Sequence, residues 1–102
     1  MKKLHFHVFS CEAEVGAAHR QYAPGSRILL LVWVKEPDEE QAFARALRIA
    51  AGQHYDAVQV KSIKHVDAAE NNFQGNLAAA FQQMLETGWA IIAYPEQAAV
   101  RH

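Results

Sequence analysis

His5 and His7 stand two residues apart in the stretch Leu4-His5-Phe6-His7-Val8-Phe9. In an extended chain, side chains two apart leave the same face, so the two imidazoles could ligate one metal ion. Zinc and iron accept a neutral imidazole nitrogen at about 2.0–2.1 Å, and the geometry of a strand suits such a pair. A third ligand would have to come from Cys11, Glu12, Glu14, His19 or His65, and no spacing selects among them. The plainer alternative is that His5 and His7 are ordinary polar residues on the less buried face of a sheet. On that alternative no cofactor is expected.

Cys11 is the only cysteine, so an internal disulfide is excluded. It could serve as a nucleophile, with a histidine as base and Glu12 or Glu14 as orienter. No surrounding signature supports that role, and a lone cysteine more often packs as a small hydrophobe. Lys61, Lys64 and His65, with Arg27 and Lys35 nearby, form a modest basic group that a phosphate or an acidic partner could use. A solvated strand face is the favoured reading of them, and aromatic residues are not interleaved with them as in RNA-binding sheets. Asn71 and Asn72 could offer amide groups to an anion, although capping a helix is the simpler role. The chain has no glycine-rich phosphate loop, no Gly-x-Ser-x-Gly elbow, no His-Glu-x-x-His and no paired-cysteine zinc spacing. No catalytic residue is assigned, and the balance leans away from an enzyme.

The elements that must position these residues follow from periodicity. Leu4, Phe6 and Val8 alternate with His5 and His7, which predicts a strand over Leu4 to Phe9. Ser10 to Tyr22 reads as an irregular connection. Ala23-Pro24-Gly25-Ser26 fits a type II turn, with proline presetting φ and glycine accepting positive φ. Arg27 to Lys35 is a strand, apolar on both of its faces. Asp38 is a good N-cap, with Gln41 placed for a capping box, and Glu39 and Glu40 suit the first turn. The helix it starts carries Phe43, Ala46, Leu47 and Ala50 as an apolar stripe and stops at Gly52. Ala57 to Val66 is a third strand in which Val58, Val60 and Val66 share a face. Ile63 has the opposite parity, so either a bulge falls near Ser62 or both faces are partly covered. Phe73 to Glu86 is a second helix with Phe73, Leu77, Ala80, Phe81, Met84 and Leu85 along one side, and Gly88 ends it. Trp89 to Tyr94 is the fourth strand, and the tail from Glu96 to His102 frays.

The order ββαβαβ predicts an α+β two-layer sandwich: a four-stranded mixed or antiparallel sheet, ferredoxin-like or related, with two helices on one face. With 102 residues the chain has the length of a single domain spanning 1–102. Its 51% hydrophobic and 21% charged residues are those of a globular protein. A formal net charge of −1 gives no global field for nucleic acid or an anionic membrane. The longest apolar run, Ile28 to Val34, is far below the ~20 residues of a membrane-spanning helix. The N-terminus lacks the apolar stretch of a signal peptide, so a cytoplasmic location is expected.

If both helices lie on one face, the other should be polar, as in half-solvated sheets. With Ile28, Leu30, Val32 and Val34 under the helices, Leu29, Leu31 and Trp33 face away, joined by Phe9 and one side of the fourth strand. Leaving three or four such side chains in water would forgo roughly 5–10 kcal/mol, comparable to a whole domain's stability. A patch of that kind implies an interface, a covering segment such as Ser10 to Tyr22, or a ligand groove. The leading expectation is a non-catalytic interaction or regulatory module that forms a homodimer or meets a protein partner through an apolar sheet face or edge, with Phe9, Leu29, Leu31 and Trp33 at the interface. The alternative is a small dimeric α/β-sandwich enzyme or ligand-binding protein, with a pocket between sheet and helices using His5, His7 or Trp33.

Overall fold

A computed structural model describes residues 5–19, 22–67 and 75–94, with the backbone alone for 65–67. The elements run β1 (His5–Val15), β2 (Arg27–Val34), α1 (Glu39–Gly52), β3 (Tyr55–Asp67), α2 (Asn76–Thr87) and β4 (Trp89–Tyr94). The four strands form one sheet in the order β3-β1-β2-β4. Every neighbouring pair is antiparallel. The expected ββαβαβ succession is present, but the sheet is not ferredoxin-like: that topology opens on a helix-linked strand pair, whereas here β1 and β2 join without a helix and occupy the centre.

β1 is longer than the alternation of its first residues suggested. It continues to Val15 because Cys11, Ala13 and Val15 keep the period of two, buried, while Glu12 and Glu14 point the other way and are only half-buried. Ser10 to Val15 is therefore strand rather than irregular connection. The chain then turns at Gly16, whose N–H donates to the His54 carbonyl at 2.8 Å. A Cβ at Gly16 would lie 2.7 Å from that same oxygen, so only glycine permits the approach. The expected turn forms at Ala23 to Ser26: Gly25 has φ 86°, and the Ser26 N–H donates to the Ala23 carbonyl at 3.2 Å.

The two helices lie on opposite faces of the sheet, which corrects the expectation that they share one. The alternation of β2 settles this. Ile28, Leu30, Val32 and Val34 are buried with Phe9, Cys11, Ala13 and Val15 against Ala42, Ala46 and Ala50 of α1. Trp33 points the other way, into a second cluster with Phe6, Ala80, Met84 and Ala90, with Leu31, Phe81, Leu85 and Ile92 packed around it. A strand apolar on both sides is what a sheet covered on both sides requires. The molecule thus has two small cores with β2 shared between them.

α1 is capped as its sequence implies, the Asp38 carboxylate accepting from the Gln41 N–H at 2.9 Å. Its buried line is Ala42, Ala46 and Ala50 rather than a stripe led by Phe43, which is 38% exposed. Small residues at every fourth position bring the helix axis close to the sheet. The helix includes Gly52, and the residue with positive φ that turns the chain into β3 is His54, at 70°. α2 begins after Gly75 and ends at Gly88 in the left-handed conformation. The parts of its expected range at Phe73, and the caps expected at Asn71 and Asn72, lie outside the described residues, as does the tail.

β3 carries two register shifts against β1. Ser10 faces Ser62 but Cys11 faces Val60, leaving Lys61 as the extra residue of a bulge. A second shift falls between Glu12 and Glu14, where Ala57 has φ 50°. The bulge at Lys61 resolves the parity of Ile63, which stands opposite Phe9 while Val60 stands opposite Cys11. Val66 falls at the register position opposite Phe6, hence on the other face from Val60.

Candidate functional site

The sheet ends in two edges of very different character. On one side β3 exposes Asp56, Gln59, Lys61, Ser62 and Lys64 and is bent by its two bulges. Charged side chains and bulges are the devices that keep an edge from pairing with other strands. On the other side β4 reads Trp89-Ala-Ile-Ile-Ala-Tyr94, with no charge, no proline and no bulge in its pairing to β2. Among the described residues no further strand pairs with it. Its β-branched and aromatic content is what makes it a good strand and, at an edge, a good template.

A groove of about 270 Å³ runs along this edge, between Asn76, Ala79, Ala80 and Gln83 of α2 and Ile91, Ile92 and Ala93 of β4. The spacing of the four helix residues, i, i+3, i+4 and i+7, places them on one side of α2. The lining offers two carboxamides among small and branched apolar groups. Carboxamides donate and accept hydrogen bonds but do not titrate, so the groove suits recognition of backbone rather than proton transfer.

The interface expected from sequence does not form one surface. Leu31 and Trp33 are covered by α2, and Trp33 stacks on Phe6 with ring centroids 5.7 Å apart. Phe6 in turn meets Phe81 at 5.5 Å. Leu29 lies half-buried beside Tyr94 on the same face. Phe9 is on the opposite face beneath α1, its ring 6.1 Å from that of Phe43. The face that seemed bare is occupied by α2, which packs on Trp33 and Leu31.

His5 and His7 lie where β1 begins, with His7 only 2% exposed. The Glu36 carbonyl can only accept, so His7 Nδ1 carries a proton and donates to it at 2.9 Å. His19 belongs to a separate aromatic group at the far end of the strand, 5.2 Å from Tyr22 and 4.9 Å from Tyr55 between ring centroids. Cys11 is buried, and burial pushes its thiol up to about 11. A thiol so placed is protonated at neutral pH and out of reach of a substrate, which fits the packing role. Arg27 pairs with Glu12 at 2.8 Å at the exposed surface instead of joining Lys61 and Lys64 in a basic patch.

No described helix is long and apolar enough to cross a membrane. No protein-family model, curated protein or solved structure matches the chain.

Proposed function

We propose that this chain is a non-catalytic association module that pairs with a second copy of itself through the edge of β4. The contrast between the two sheet edges carries the reading: the exposed charges and the bulges that discourage pairing lie on β3, and β4 has neither. Two β4 strands meeting antiparallel about a two-fold axis would be self-complementary, which is the commonest form of closed oligomer. Each strand would satisfy the other's outward N–H and C=O groups, joining the two sheets into one. Asn76, Ala79 and Gln83 would flank the partner strand and supply amide hydrogen bonds beside it.

A catalytic reading is less well supported, because the groove brings no titratable group to its lining. Light scattering tests the proposal. The expected result is a mass twice the 11.4 kDa of one chain at micromolar concentration. The double variant Ala79→Glu, Gln83→Glu places like charges on exposed helix positions facing across the two-fold, and it is expected to run as a folded monomer. A folded wild-type monomer at high micromolar concentration would overturn the proposal.

A further inference from the structure

The ladder between β2 and β4 fixes which groups of β4 look outward. The Lys35 N–H donates to the Gly88 carbonyl at 2.9 Å, and these two residues continue the register in which Val34 faces Trp89. Lys35 and Gly88 are therefore a hydrogen-bonded pair, and along an antiparallel ladder bonded and non-bonded pairs alternate. It follows that Ala90, Ile92 and Tyr94 bond to β2, while Trp89, Ile91 and Ala93 turn their N–H and C=O groups away from it. The Trp89 carbonyl agrees, since it accepts from the Thr87 hydroxyl at 2.9 Å. A carbonyl oxygen has a second lone pair for a further donor.

We infer that the two-fold axis of the paired chains passes beside Ile91, so that Ile91 faces the partner's Ile91 and Trp89 faces the partner's Ala93. This rests on the reading that β4 pairs with β4, and it names the register of that pairing. Only this centre sets all three outward residues of one strand against all three of the other. A centre one residue earlier would set Ala93 against Thr87, which belongs to α2. A centre one residue later would carry Trp89 past the end of the strand at Tyr94. In the Ile91 register each outward pair exchanges two hydrogen bonds. Side-chain size agrees with it. Trp89 meets Ala93 on the face that bears α1, and Ile92 meets Ala90 on the face that bears α2, large against small both times. Trp89 also lies diagonal to the partner's Ile91, at about 7–8 Å and within reach of an aromatic ring. The groove between α2 and β4 is on the face that Ile92 shares with α2, beside the strand position that the partner's Ala90 takes. The sequence Trp-Ala-Ile-Ile-Ala is thus complementary to its own reverse, which is what a two-fold interface requires of one strand.

Single cysteines read the register. Hydrogen-bonded antiparallel partners have Cα atoms about 5.5 Å apart, which a disulfide spans, whereas positions four residues apart along a strand are separated by about 13 Å. Under oxidised glutathione, Ile91→Cys is expected to form a covalent dimer, and Trp89→Cys and Ala93→Cys are each expected to form none alone. Mixing the last two is expected to give the covalent dimer that neither gives by itself, which keeps the test intact if Ile91→Cys fails to fold. Wild type, whose one thiol is buried at Cys11, should stay without a cross-link under the same treatment. A covalent dimer from Trp89→Cys or Ala93→Cys alone, or none from their mixture while both run as dimers in light scattering, would overturn this register and leave the pairing of β4 with β4 standing. Wild type that stays monomeric at high micromolar concentration would overturn the pairing itself, and the register with it.

Discussion

Burial raises the Cys11 thiol from 9.0 to about 11, and its Sγ–H points to the Phe9 carbonyl at 3.7 Å. The folded state therefore holds this proton more tightly than the unfolded state. The stabilisation is complete below pH 9 and is lost as pH rises towards 11. Tyr55 is shifted in the same direction, by burial first and by the neighbouring Tyr22 second, and adds to the loss at high pH. Thermal melts across this range are expected to show a fall in wild-type midpoint that Cys11→Ala makes shallower without abolishing. A wild-type midpoint that stays level to pH 11 would contradict this account. The packing role of Cys11 was legible in the sequence, because nothing near it supplied a base at fixed spacing. The burial of His7 was not, since it depends on a backbone carbonyl from a loop 29 residues away.

At the scale of elements, α1 is held to the sheet by Ala42, Ala46 and Ala50, all fully buried. Replacing Ala46 by leucine would force extra volume into a gap set by that close approach, at a cost of about 1–3 kcal/mol. A urea titration is expected to show a lower midpoint with an unchanged slope. Equal or greater stability would mean that the helix rides higher than described. The start of α1, the Pro24-Gly25 turn, β2 and β4 were readable because each is fixed by local chemistry: a cap, a turn residue, an uninterrupted β-branched run. The second half of β1 was obscured by alanines and glutamates that also favour helices, so the alternation of Cys11, Ala13 and Val15 was too weak to stand alone. The stripe on α1 was right at Ala46 and Ala50 but was led by Phe43 instead of Ala42, because Phe43 outweighs alanine in any hydrophobic pattern, whereas close packing prefers the smaller residue.

For the whole molecule, the decisive feature is that α1 and α2 sandwich the sheet from opposite sides. From the sequence, β2 was evidently apolar on both faces, but the element order does not say on which face each crossover lies. With Leu31 and Trp33 covered by α2, the case for an exposed face falls away and the case for an exposed edge replaces it. The two edges can be compared within one molecule, which makes the claim sharp. Amide exchange followed residue by residue at rising protein concentration tests it most directly. Alternate amides of Trp89 to Tyr94, those not bonded to β2, are expected to become protected as concentration rises, while the outward amides of β3 stay unaffected. Outward β4 amides that exchange equally fast at every concentration, or protection that appears on β3 instead, would contradict it.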